Sequence, residues 1–115
     1  MKNLRNQVTL IGHLGADPEL KEFSTGTQKV SMSLATTETY KNKNGEKVSD
    51  TQWHLLAAWN GQAKYAKSYL TKGTEVMIQG KLVSRTYQDK DGKNRYITEV
   101  VVDQMMILKK KEEAA

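Results

Sequence analysis

Apolar residues recur at every second position in five separated stretches of this chain, and one stretch alone departs from that period. Val8, Leu10 and Gly12 alternate with Gln7, Thr9 and Ile11; Val30, Met32 and Leu34 alternate with Ser31, Ser33 and Ala35. Between Thr51 and Trp59, one face of a strand would carry Trp53, Leu55, Ala57 and Trp59, and the other His54, Leu56 and Ala58. Both faces are largely apolar, as expected of a central strand. Val76, Ile78, Gly80 and Leu82 make a fourth set, and the β-rich run from Tyr96 to Val102 a fifth. The exception is Ala63, Ala66 and Leu70, spaced by three and four: a short helix of about ten residues, with Asn60 as N-cap and Gly73 as its stop after Lys72. Turn chemistry separates the strands at Ser24-Thr25-Gly26, Asn44-Gly45 and Asp91-Gly92, and Pro18 marks a bend after the first.

Five strands with one helix between the third and fourth is the element order of an OB-fold, an all-β five-stranded Greek-key barrel. A small sheet covered by one helix is the competing arrangement. Gly12, Gly15 and Gly80 favour the barrel, whose strands must coil sharply. At 115 residues the chain is one domain with a modest core. Its apolar share of 37% is low, so a partner subunit is expected to complete part of the apolar surface. Residues 1–108 form the expected domain, and residues 109–115 a short charged tail expected to be disordered.

No run approaches the length of a membrane span, and the first seven residues are not those of a signal peptide. Without cysteine there are no disulfides or thiolate metal sites. Eighteen basic against thirteen acidic residues leave a net charge of +5, which points to a polyanionic partner.

Catalytic chemistry finds little foothold. His54 sits in a strand between Trp53 and Leu55, the setting of a structural or interface histidine. His13 lies in a Gly-His-Leu-Gly bend; that bend mimics a GxxG phosphate clamp but lacks the helical flanks such a clamp needs. No paired-carboxylate cluster, His-x-x-x-His or nucleophile elbow is present. Asp89 and Asp91 read as solvated turn residues, so neither metal nor cofactor is expected.

Nucleic-acid chemistry gathers more. Tyr40 precedes Lys41 and Lys43; Tyr87 follows Arg85; Tyr96 follows Lys93 and Arg95. A single strand presents base faces that stack on aromatic rings and phosphates that attract cations. Each stacked base contributes about 1–3 kcal/mol. Trp53 and Trp59 fit either role, filling the barrel or stacking on bases. Tyr65 and Tyr69, on the helix, are expected to pack.

The segments VTLIGHLGADPEL, SLATTETY, TQWHLLAAW and YLTKGTEVMIQGKLVSRTYQDKDGKNRYITEVVV together resemble the bacterial single-stranded DNA-binding protein family from Asn6 to Leu108. The resemblance implies a non-enzymatic OB-fold homotetramer that wraps single-stranded DNA without strong sequence preference in replication, recombination and repair, and hence a cytoplasmic, nucleoid-associated protein. It implies stacking by Tyr40, Trp53, Trp59 and Tyr87, phosphate contacts from Lys43, Lys72 and Arg85, and a place for His54 at the subunit interface. Tyr40 and Tyr87 stand where tryptophan is common, and Trp59 where phenylalanine is. Leu55 and Thr86 are uncharged where the family often places a cation. The family's flexible tail, with its acidic tip, recruits replication and repair proteins; here the sequence after Leu108 reads Lys-Lys-Lys-Glu-Glu-Ala-Ala, so recruitment of those partners stays open. Two rivals remain at this stage: an OB-fold that docks RNA or an acidic protein, and a small OB-fold nuclease.

Overall fold

The computed structural model describes residues 4–110. The strands are β1 (Val8–Leu14), β2 (Glu19–Glu22), β3 (Gln28–Lys41), β4 (Lys47–Trp59), β5 (Glu75–Gln88) and β6 (Asn94–Lys109), with helix α1 (Gly61–Tyr69) between β4 and β5. They form one sheet in the order β1-β5-β6-β4-β3-β2, closed by an added pairing of β1 with β3. Closure is antiparallel at His13↔Ala35 and Leu14↔Leu34, while β4 meets β6 in parallel at Leu56↔Val100 and Ala57↔Val101. With β2 as an added edge strand, the other five make the expected barrel, and α1 lies between the third and fourth of them. The tail expected from residue 109 begins inside β6, which runs through Lys109; residues 111–115 lie outside the described residues.

The alternation seen in the sequence becomes the inside of the barrel. Val30, Met32 and Leu34 from β3, Leu56 and Ala58 from β4, Val76 and Ile78 from β5, and Val100 and Val102 from β6 are buried together. Ala63, Ala66 and Leu70 lay the apolar face of α1 onto them. Leu82, the last of its alternating set, is 49% exposed, because β5 has by then left the barrel for a long hairpin with β6.

Three hairpin ends share one construction. Gly26, Gly45 and Gly92 have φ of 88°, 78° and 76°, and each donates its N–H to a carbonyl three residues back, on Phe23, Asn42 and Asp89. The Asn42 side chain accepts from the N–H groups of Asn44 and Glu46; Asp89 does the same for Asp91 and Lys93. These are Asx turns, in which a short polar side chain takes the place of backbone partners.

The ends of α1 differ from expectation. Asn60 makes no side-chain cap bond. It adopts φ 50°, a conformation Asn tolerates better than most residues, and holds the start of β3: its N–H donates to the Gln28 carbonyl and its Oδ1 accepts from the Gln28 N–H. At the other end, α1 stops at Tyr69, and Gly73 (φ 89°) serves the Thr71–Thr74 turn beyond it.

Strand β2 has no counterpart in the sequence pattern. All four of its residues are exposed, so no apolar alternation announces it. Its backbone pairing with β3 holds it, from Glu19↔Ser31 to Glu22↔Gln28. Its charged side chains suit a strand at a sheet edge.

Candidate nucleic-acid interface

Paired residues in this sheet share a face, and that rule assembles the site. The β4 residues Trp53, Leu55, Ala57 and Trp59 lie outside the barrel, in line with Ala35, Ser33, Ser31 and Lys29 of β3. Trp53 is 63% exposed and Trp59 38%, so neither fills the core. The choice left open by periodicity is settled outward for both. The second apolar face of β4 lies on the outside of the sheet, exposed at Trp53, Leu55 and Trp59 but covered at Ala57, while Leu56 and Ala58 enter the core from its inner side.

A groove of about 650 Å³ crosses this outer face. Lys21, Phe23, Lys29 and Trp59 line one side, and Val83, Arg85 and Glu99 the other. The rings of Phe23 and Trp59 are nearly parallel, 17° apart in plane, with centroids 6.2 Å apart. Each aromatic ring here has a cation near it: Lys21 Nζ is 5.2 Å from the Phe23 centroid, Lys29 Nζ 5.3 Å from Trp59, and the Arg85 guanidinium carbon 5.9 Å from Tyr87. A ring quadrupole attracts a cation at such distances. Glu99 is the acid of the groove. Its carboxylate accepts from Arg85 Nε at 3.2 Å and lies 3.9 Å from Lys29 Nζ, with only 10% of the side chain exposed. Burying a carboxylate costs less when cations pair it, so Glu99 fixes where both basic groups stand.

Of the residues expected to contact nucleic acid, Trp59 and Arg85 line this groove, and Tyr87 continues it along the same face of β5. Trp53 marks the other end of the β4 row, where its ring lies over Gly15: a Cβ there would fall 2.5 Å from Trp53 Cζ3. Lys72 belongs to that end. Its N–H donates to the Asp17 carboxylate, and the next residue, Gly73, donates to the Leu14 carbonyl beside Gly15. Two expected residues lie apart. Lys43 is at the exposed tip of the β3–β4 hairpin. Tyr40 is 53% exposed but pairs with Val48, on the face of the ribbon opposite Trp53 and Trp59. His54 is half-buried on the inner side, with Nε2 3.0 Å from the Thr36 hydroxyl.

Lys21, Phe23, Lys29 and Glu99 were missed. The alternation of Lys21 with Phe23 was the available sign, hidden because β2 itself was not legible. Tyr65 and Tyr69 were expected to pack; they pack on each other, with centroids 5.1 Å apart, while Tyr69 remains 58% exposed. His13 lies inside β1, one residue before its end at Leu14, which removes the phosphate-clamp reading; its Nε2 lies 3.8 Å from Glu75. Among the described residues, no three His, Cys, Asp or Glu side chains are grouped to hold a metal ion, and no helix is long and apolar enough to cross a membrane.

The chain resembles known proteins over nearly all of this architecture. The single-strand binding protein family model matches residues 5–108. Single-stranded DNA-binding protein 1 of Xylella fastidiosa is 40% identical over 109 residues, covering 94% of this chain and 80% of that protein. The protein of the same name from Chlorobaculum tepidum is 42% identical over 108 residues, covering 93% of this chain and 67% of that one. Among solved structures, the Plasmodium falciparum SSB in complex with ssDNA superimposes with a TM-score of 0.80 at 30% identity, covering 94% of this chain and 97% of that one. With the closed barrel and its outward aromatic row, these matches place the chain in the single-strand binding protein family.

Proposed function

We propose that this chain binds and coats single-stranded DNA without strong sequence preference, as a non-catalytic homotetramer in DNA replication, recombination and repair, in the cytoplasm with the nucleoid. One observation carries the reading: in the groove and its extension, rings and cations come in pairs, half-buried Phe23 with Lys21, Trp59 with Lys29 and Tyr87 with Arg85. Rings supply stacking to any base, and cations neutralise phosphates whatever the sequence. A duplex hides its base faces, so the protein binds the open strand and draws hairpins apart by mass action. The exposed apolar side chains of Ile11 on β1 and of Met106 and Leu108 on β6 support association of subunits.

Tryptophan fluorescence titration with oligo-dT tests this. Strong quenching is expected, together with an affinity that falls as salt rises. Each neutralised phosphate adds about −0.7 to the log–log slope, so three groove cations give roughly −2 per subunit. A matched duplex and a structured RNA should bind far more weakly, and labelled strand incubated with magnesium or calcium should stay intact. Light scattering on the same samples should give four chain masses. Equal affinity for strand and duplex would refute the assignment.

The β5–β6 hairpin offers a second, narrower test. Asp89 accepts from Arg95 Nε at 2.7 Å, and this bond, with the N–H of Lys93, holds its carboxyl below the usual carboxylate range. A depressed acid contributes its stabilisation in full above its ordinary pKa and loses it only as pH falls through the lowered value. Arg95, opposite Tyr87 in register, therefore stays engaged throughout the neutral range. Asp89→Asn keeps both backbone hydrogen bonds, as Asn42 does in its own turn, but gives up the ion pair. The freed guanidinium is expected to steepen the salt slope by about 0.7 and tighten binding at low salt. An unchanged slope would show that Arg95 lies off the strand's path.

A further inference from the structure

Lys21 of β2, Phe23 just beyond it and Lys29 of β3 meet at the Trp59 end of the groove, and this corner has the parts to hold one nucleotide. We propose that Phe23 and Trp59 take its base and that Lys21 and Lys29 take its phosphate. This inference rests on the groove being the path of single-stranded DNA and names a subsite within it that depends on β2.

Three observations carry it. First, Lys21 and Lys29 are directly opposite each other in the antiparallel β2–β3 pair. Like charges in that position destabilise a sheet. Glu99 lies 3.9 Å from Lys29 Nζ, whereas among the described residues no carboxylate is within ion-pair distance of Lys21. The corner therefore keeps an unbalanced positive charge, which a bridging phosphate would relieve. Second, the two rings are nearly parallel, 17° apart, and both border the groove. A base can extend the stack of a parallel pair on its open face, and base stacking on aromatic side chains needs no hydrogen-bond readout. Third, each ammonium group lies about 5 Å from the ring it accompanies. A base on the rings and its phosphate on the lysines are thus within one nucleotide of each other. Purely structural packing would account for the rings, but not for two facing lysines held beside them.

The test is oligo-dT binding across a salt series for Phe23→Leu, Lys21→Ala and Trp53→Ala, each checked for its fold by thermal unfolding. Leucine keeps an apolar side chain beside β2 and removes only the ring, so a change in binding cannot be blamed on lost apolar packing alone. Phe23→Leu is expected to weaken binding about fivefold or more with the salt slope unchanged. Lys21→Ala is expected to reduce the slope by about 0.7. Trp53→Ala, at the far end of the row, reports on the groove itself. If Trp53→Ala weakens binding while Phe23→Leu stays within twofold of the parent protein and Lys21→Ala keeps its slope, the subsite is refuted and the groove stands. If none of the three affects binding, the groove reading has failed and the subsite with it.

Discussion

Gly12→Ala and Gly80→Ala are each expected to destabilise the protein by about 3 kcal/mol or more, beyond the usual cost of overpacking. A Cβ on Gly12 would stand 2.1 Å from the Ala35 carbonyl oxygen and 2.9 Å from its carbon; on Gly80 the same distances separate it from the oxygen and carbon of Val101. Those are backbone atoms, and no rotamer change moves them aside. The two glycines occupy the points where the barrel turns on itself. Near Gly12, β1 extends its pairing from β5 to β3; at Gly80, a bulge interrupts the β5–β6 register. Space is the objection at both positions, since neither has a positive φ. Gly61 makes the control. It begins α1 with nothing within 4 Å of a built Cβ, so Gly61→Ala should be neutral or stabilising by about 0.5–1 kcal/mol. Denaturant unfolding at one fixed protein concentration measures all three, because linked assembly would otherwise shift the midpoints. A Gly12→Ala protein within 1 kcal/mol of the parent would mean that the closing strands can part, and that the barrel is looser than its hydrogen bonds describe.

What the sequence made legible, and what it hid, follows the reach of each interaction. The three hairpin ends were readable because their chemistry is local: glycine at positive φ, and in two of them an Asx side chain reaching residues two and four ahead. The core was readable because a buried face repeats every two residues. The exposure of Trp53 and Trp59 was not, because β4 is apolar on both sides and alternation cannot say which side is out. Nor was β2. Its four exposed residues carry no periodic signal, and its stability comes from hydrogen bonds to a strand that follows it. That gap hid Lys21 and Phe23, and with them half of the groove. Lys29 was hidden differently: it precedes the buried Val30, and only the closed barrel turns it toward Trp59 and Glu99. Asn60 had the right identity for an N-cap, but the bonds it makes to Gln28 took precedence over a local cap. A spacing of two in the sequence already puts Arg85 and Tyr87 on one face of a strand, while only the register shows that Tyr40 lies on the opposite face from Trp53 and Trp59.

Trp59→Ala and Trp53→Ala should each weaken single-strand binding by about 1–3 kcal/mol, or roughly 5- to 150-fold, with the salt slope preserved because no cation is removed. Trp59 should fall toward the upper end. Its removal also strips Phe23 of its stacked partner and Lys29 of the ring beside it. Trp53 is 63% exposed, against 38% for Trp59, and is seated over Gly15 with no other aromatic ring stacked on it among the described residues. The six-residue separation along β4 places the two about 20 Å apart, beyond the distance at which neighbouring substitutions couple. The double variant is therefore expected to lose the sum of the single effects, provided one strand contacts both rings. Replacement of Trp59 by Phe should recover most of the loss, because a flat face suffices for stacking. Stability gives the counter-check. Rings that filled the barrel would cost about 3–5 kcal/mol of folding stability on truncation; rings open to the groove should cost far less. Alanine variants that unfold early yet bind oligo-dT within threefold of the parent would return both tryptophans to a structural role and move the DNA to another surface.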